Sequence, residues 1–203
     1  MTPQKRLFDI ALAIILMGCL AVPIMAIALV IAVKDGRPIF HRSMRMRTMD
    51  RCFGLIKFRT MDIVENDCGV TGGDKSDRIT TVGQFLRNTH LDELPQLWNV
   101  LVGDMSFVGP RPPLRVYVER FPALYEQVLK SRPGITGLAS LRYHLHEYML
   151  LARCSTANET DAVYARVCVP AKARLDLIYQ RHQSLCFDMK IMLQTVFRSH
   201  RNR

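Results

Sequence analysis

The chain has 203 residues, about half of them apolar, and carries 28 lysines and arginines against 18 acidic residues, a net charge of +10. That length holds one ordinary folded domain and excludes a pair of large soluble ones. The charge calls for an anionic partner without choosing among nucleic acid, anionic lipid and phosphorylated substrate.

Residues 10–33 form an uncharged run, longer than the roughly 20 residues an α-helix needs to cross a bilayer. A signal peptide has a shorter apolar region of about 7 to 15 residues. Its cleavage triplet would also follow that region, whereas Ala26-Ile27-Ala28 lies inside the run, so the segment is expected to stay in the mature protein. Lys5 and Arg6 precede it, and Lys34, Arg37, His41, Arg42, Arg45 and Arg47 follow it. Two basic flanks both favour the cytoplasmic side, which one straight span cannot satisfy. Pro23 removes a helical hydrogen bond near the middle and tends to bend the helix. A re-entrant hairpin reconciles the two facts; a spanning helix with a tolerated proline stays open on pattern alone.

Beyond the anchor, residues 52–59 read as a short strand and 62–75 as a polar loop. A helix is expected over 81–88, with Val82, Phe85 and Leu86 on its apolar face and Arg87 exposed. Leu91-Asp92-Glu93-Leu94-Pro95 reads as the start of a helix running to Leu101 and ended by Gly103-Asp104. Residues 109–113 are an irregular loop, 117–130 a helix, and Arg132-Pro133-Gly134 a break. Two helices follow over 170–181 and 186–197, the second apolar, followed by Arg198, Arg201 and Arg203 and expected in the membrane interface. The composition shift marks an anchor over residues 1–36 and one compact domain over 37–203. The six cysteines, including Cys68, lack a CxxC pair or zinc-site spacing, and reduced thiols facing the cytoplasm are expected.

Adjacent carboxylates at a helix start, Asp92 and Glu93, can act as a phosphorus nucleophile and a Mg²⁺ ligand; on their own they can equally be an acidic cap. Lys57, Arg59, Arg78, Arg87, Arg111 and Arg132 stand in loops or at element ends, where guanidinium groups bind phosphates bidentately. A solvated basic face, or one that only holds lipid headgroups, is the competing explanation. His144, His146 and Glu147 lack a third evident partner for a metal, since histidines two apart share a side only in a strand. No Walker loop, GxSxG or Rossmann fingerprint is present, nor a nucleic-acid motif.

The ordered blocks Lys5-Arg6-Leu7-Phe8-Asp9, Pro38-Ile39-Phe40, Lys57-Phe58-Arg59-Thr60-Met61 and Asp77-Arg78-Ile79-Thr80 carry a resemblance. It continues through the stretches 91–100 and 103–112 to Arg132-Pro133-Gly134-Ile135-Thr136-Gly137. The chain resembles the bacterial sugar transferases, monotopic phosphoglycosyl transferases, nearly end to end. The resemblance implies an α/β, mostly helical fold with a re-entrant membrane helix broken at Pro23, a small β element and interfacial amphipathic helices. It implies that Asp92 attacks the sugar-linked phosphate of a UDP-sugar, that UMP leaves, and that the phosphosugar passes to polyprenol (undecaprenyl) phosphate. Glu93 would hold Mg²⁺, the six basic residues would bind substrate, and the bacterial inner membrane would present the domain to the cytoplasm. The alternative is a non-catalytic membrane module that binds anionic ligands; homodimer formation is compatible with either, and nucleic acid explains only the charge. The sequence departs from the family pattern at Val22-Pro23, in place of Ser-Pro, and at two loops, 43–47 and 138–141.

Overall fold

The computed structural model describes residues 1–64, 70 and 73–201. The first helix, α1 (Pro3–Lys34), starts on a Thr2 cap whose hydroxyl accepts from the Lys5 amide, with proline at the first helical position. It is helical on both sides of Pro23, since a proline forfeits only its own amide bond to the preceding turn. Only 6% of its most apolar window is buried. Leu7, Ile14, Ile15, Val22, Met25, Leu29 and Val33 all face outward. At about 1.5–3 kcal/mol for each large side chain left in water, that surface would cost as much as a whole domain's stability, about 5–15 kcal/mol. The helix is long and apolar enough to cross or enter a bilayer, and lipid is the solvent that removes this cost.

Both ends of α1 are pinned to one domain. At the start, Lys5 makes a buried ion pair with Asp188, Arg6 donates to the carbonyls of Val100 and Leu101 at 2.6 and 2.7 Å, and the Asp9 carboxylate accepts from the Phe107 amide. At the far end, Thr80 donates to the Asp35 carboxylate at 2.9 Å, and the Arg59 guanidinium donates to the carbonyls of Asp35, Gly36 and Arg37.

The domain begins with an antiparallel hairpin of β1 (Phe40–Met46) and β2 (Cys52–Phe58), in which Phe40 faces Phe58 and Met46 faces Cys52. A 3-10 turn (Gly73–Arg78) leads to α2 (Thr81–Thr89). A second 3-10 turn, Leu91–Glu93, carries the adjacent acids, followed by α3 (Gln96–Val102) and β3 (Ser106–Val108). Next come α4 (Arg115–Arg120), α5 (Pro122–Val128), β4 (Gly134–Thr136) and α6 (Leu138–Leu151). The chain closes with α7 (Ala157–Val163), a π-helical turn at Tyr164–Cys168, α8 (Val169–Arg181) and α9 (Leu185–Arg201). The fold is mostly helical with small sheets, as the resemblance implies.

The short strands β3 and β4 pair in parallel, Ser106 opposite Gly134 and Val108 opposite Thr136. Their loops touch backbone to backbone: a Cβ on Gly109 would lie 2.1 Å from the Arg132 carbonyl, and one on Gly134 2.2 Å from the Gly109 amide. The glycines of the two arginine loops are thus set by close approach.

Several expectations change. The helix expected over 117–130 is two helices, because Pro122 cannot donate and starts a new one after Phe121. Residues 43–46 belong to β1 and 138–141 to α6, so neither segment is a loop. In α2, Leu86 is buried and Val82 packs against the core as expected, but Phe85 is exposed and Arg87 half-buried, because the seam runs along Gly83 and Leu86. Part of the polar stretch 62–75, Cys68 and Arg203 lie outside the described residues.

Candidate active site

The acidic pair sits one turn earlier than a helix start. Pro95 lacks an amide hydrogen, and the amides of Leu94 and Leu97 reach back three residues, to the carbonyls of Leu91 and Leu94. The chain thus winds as 3-10 through Leu91–Glu93 before α3 begins. His90 ends α2 in the left-handed conformation, φ 56°, which costs a non-glycine residue about 1–2 kcal/mol and turns the chain into the acidic segment. Leu91 and Leu94 then pack against the cluster of Ile31, Phe58 and Leu86, which Ile24, Ile27 and Ala28 of α1 also join, and Leu97 belongs to the cluster that holds Leu16 and Leu20. The leucines on either side of the acids therefore share a core with the apolar helix α1.

Asn99 fixes α3 against the hairpin. Its Oδ1 accepts from the Ile56 amide at 3.1 Å and its Nδ2 donates to the Gly54 carbonyl at 2.9 Å, replacing a neighbouring strand on β2. One residue beyond, Lys57 points its ammonium at the pair: Nζ lies 2.5 Å from Glu93 Oε1 and 3.6 Å from Asp92 Oδ2. Arg111, from the loop after β3, donates to the same Glu93 oxygen at 3.0 Å.

The neighbouring acids are made chemically unlike. Burial penalises the charge of Glu93, but Lys57 and Arg111 overcome it and hold the carboxyl far below its ordinary range. Burial raises Asp92, and Lys57, Arg111 and Arg87 only partly offset that. Among the described residues no hydrogen bond reaches the Asp92 carboxylate. Asp92 is thus a poorly solvated, basic carboxylate, and Glu93 a permanent anion. Both bonds to Glu93 use Oε1. A Mg²⁺ ion is commonly held by one or two carboxylates, with phosphates and water completing its shell, so the donor set fits one; no cluster of three His, Cys, Asp or Glu exists among the described residues.

The other expected basic residues divide. Arg87 donates through Nε to Thr60 Oγ1 at 2.8 Å, and its charge acts on Asp92. Gly83 permits this contact, since a Cβ there would sit 2.1 Å from the Thr60 carbonyl. Arg78 lines the rim of the same cavity and donates to the Asp62 carbonyl at 3.2 Å. Arg59 is committed to the end of α1. Arg132 lies elsewhere, its charge facing Arg47, Arg6, Asp9 and Asp104, and it does not line the cavity. His144 and His146 lie on helix α6 and have different ring neighbours, His90 and Tyr143.

The cavity above the acids is an open cleft of about 2350 Å³. It continues past Arg45 of β1 to an arm between α6 and α8 that holds Glu147, Tyr164, Lys172 and Asp176. Lys172 donates to Glu147 at 2.8 Å and to the Tyr164 hydroxyl at 3.3 Å. Burial lowers Arg45 to about 10, with Arg111 adding to the fall, while its Nε donates to Ser43 Oγ at 3.1 Å. One signal for this arm is present in α8: Lys172 and Asp176 fall on the Val169–Ala173 buried stripe, where two charges at helical spacing are out of place.

Residues 1–202 match the bacterial sugar transferase family, and the chain belongs to it. It is 36% identical over 203 residues to the UDP-glucose:undecaprenyl-phosphate glucose-1-phosphate transferase of Escherichia coli K12, covering 98% of this chain and 40% of that protein. A sugar transferase of Bacillus subtilis, EpsL, described as uncharacterized, is 35% identical over 192 residues, covering 95% of this chain and 85% of its own length. The undecaprenyl-phosphate galactose phosphotransferase of Salmonella typhimurium is 37% identical over 150 residues, 66% of this chain and 31% of that protein. The chain thus spans well under half the length of the first and third of these relatives.

Proposed function

We propose that this chain transfers a sugar-1-phosphate from a UDP-sugar to polyprenol phosphate in two steps at Asp92. In the first, a carboxylate oxygen of Asp92 attacks the sugar-linked phosphorus, the bond from that phosphorus to the bridging oxygen breaks, and UMP leaves with the electron pair. In the second, a phosphate oxygen of the polyprenol phosphate attacks the same phosphorus, and the carboxylate of Asp92 is restored. Splitting one displacement between two phosphate anions into two steps is what a carboxylate nucleophile contributes. The observation that carries this reading is the geometry of a buried Asp92, with no hydrogen bond to its carboxylate among the described residues, beside a Glu93 held by Lys57 and Arg111, on a turn whose leucines share a core with the apolar helix α1.

Lys57, Arg87 and Arg111 converge on the acids and supply the positive field a diphosphate requires before an anion can approach it. Glu93, through the oxygen that Lys57 and Arg111 leave open, would hold Mg²⁺, which neutralises diphosphate charge when bound. Lys57 also opposes the rise that burial imposes on the Asp92 carboxyl.

The anchor is read as re-entrant, bent at Pro23, with the domain on the cytoplasmic face. Supporting this are the basic flanks and the attachment of both ends of α1 to the same domain. The five described cysteines are free thiols, which fits a reducing compartment. The exposed Met189, Leu193, Val196 and Phe197 of α9 are consistent with an interfacial helix.

Purified protein in nanodiscs, given Mg²⁺, polyprenol phosphate and a panel of UDP-sugars, should release UMP with at least one donor, and Asp92→Asn should abolish it. No release from any donor would support instead a module that only binds anions. Equal activity in Asp92→Asn would remove the nucleophile assignment.

A further inference from the structure

The arm of the cavity beyond Arg111 has a chemistry unlike that of the acidic pair. Asp176 is 7% exposed, and its Oδ1 is fully buried with no partner. Lys172, 9% exposed, is already neutralised by Glu147 at 2.8 Å, so Asp176 is a second acid beside a spent cation. A buried polar atom left unpaired costs about 1–3 kcal/mol, and the residue that carries it lines the cavity. Tyr164 and Tyr125 add flat apolar walls beside the polar groups.

The arm is electrostatically continuous with the acidic pair. Arg111 bonds Glu93, and its charge also acts on Glu147 and Lys172. Arg45 stands between, feeling Arg111 and Glu93 on one side and Tyr164 on the other. Acceptors therefore outnumber cations at one end of a cleft, and cations outnumber acids at the other. Phosphate suits the second end. The first end suits a neutral ligand with several hydroxyl groups, which donates to carboxylates, accepts from an ammonium and lays its apolar face on an aromatic ring.

We propose that Asp176, Glu147 and Lys172 form the subsite that receives the donor's sugar ring and discriminates its hydroxyls. This rests on the UDP-sugar reading above. The pair Lys172–Glu147 sets one edge of the ring, and Asp176 takes the hydroxyl that reaches deepest. Burial pushes the Asp176 carboxyl up to about 7, so near neutrality it can donate as well as accept.

The test uses the full chain in nanodiscs with the UDP-sugar that it turns over fastest, the C4 epimer of that donor, and its single-deoxy analogues. Asp176→Asn keeps the shape, and Glu147→Gln serves as an independent second variant. For the best donor, kcat/KM should fall roughly 10- to 100-fold, the size of a lost hydrogen bond to a charged group. The preference over the epimer should shrink by a similar factor, while inhibition by UMP stays unchanged. One deoxy analogue should lose activity with the wild type yet lose nothing further with Asp176→Asn. Unchanged discrimination in both variants would overturn the subsite while leaving the transferase reading intact. A parallel weakening of UMP inhibition would also overturn it, by placing the nucleotide in this arm. Absence of UMP release by the wild type would remove the transferase reading and the subsite with it.

Discussion

The two ends of the cleft solve the problem of charge in a protein interior in opposite ways. Around Asp92 and Glu93, three cations, Lys57, Arg87 and Arg111, face two acids, and the excess is positive. Around Lys172, one cation faces Glu147 and Asp176, and the excess is negative or, with Asp176 protonated, nil. The first arrangement is incomplete until an anion arrives; the second calls for no anion and leaves one buried acid oxygen without a hydrogen-bond partner among the described residues. The leucines beside the acidic pair share a core with the anchor, and the deep arm lies between helices of the domain.

Removing charge from the first end should do most damage. Arg111→Met should lower kcat/KM for the UDP-sugar by about 10²- to 10³-fold, comparable to losing one preorganised charge-stabilising donor. Arg111→Lys should restore only part of it, because a lysine cannot hold two oxygens in one plane. Steady-state UMP release reads both.

Next in size is the buried pair that fixes the start of α1. Lys5→Met leaves Asp188 buried with the Tyr179 hydroxyl as its remaining partner, and stranding a buried charge costs roughly 3–5 kcal/mol. Thermal unfolding in detergent should drop by many degrees. Loss of less than the scatter between preparations would show that the anchor's start is not held there.

The pH dependence separates the two ends. Asp92 must be ionised to attack, and its raised pKa means that turnover declines, as pH falls, earlier than for an ordinary aspartate. Lys57→Met removes the main opposing charge and should move that acid limb to higher pH; Glu93→Gln should move it lower. At the other end, the native pKa of Asp176, about 7, lies above its ordinary 3.8. The native state then binds the proton more tightly, so this group's stability contribution is full below about pH 4 and lost as pH rises through about 7. Asp176→Asn escapes that loss, and its melting temperature relative to wild type should improve between about pH 5 and pH 8. A constant difference would place the Asp176 carboxyl in the ordinary range.

The first end was legible in the sequence and the second was not, for physical reasons. The anchor, β2, α2, α8 and α9 announce themselves by an apolar run, an alternation or a helical spacing. Asp92 and Glu93 stand out as neighbours, and Arg111 as the single cation in a proline loop. Arg59 and Arg132 carry the same loop signature yet serve other neighbours, since a guanidinium suits a row of helix-end carbonyls as well as a phosphate. The helix α6 carries no such pattern, because apolar residues occupy both its core side and its exposed side, Leu145 and Met149 among them. Lys172 and Asp176 share the apolar stripe of α8, a weak signal by itself, and Glu147 joins them from α6 only in the fold.

The covalent intermediate is the centre of the account, and intact-protein mass spectrometry observes it directly. Wild-type protein incubated with Mg²⁺ and its UDP-sugar, without lipid acceptor, should gain the mass of one phosphosugar on the peptide containing Asp92, with one UMP released per site. Adding polyprenol phosphate should discharge it, and Asp92→Asn should never form it. UMP release that requires both substrates together with no adduct, or an adduct that persists in Asp92→Asn, would contradict the two-step reaction at Asp92.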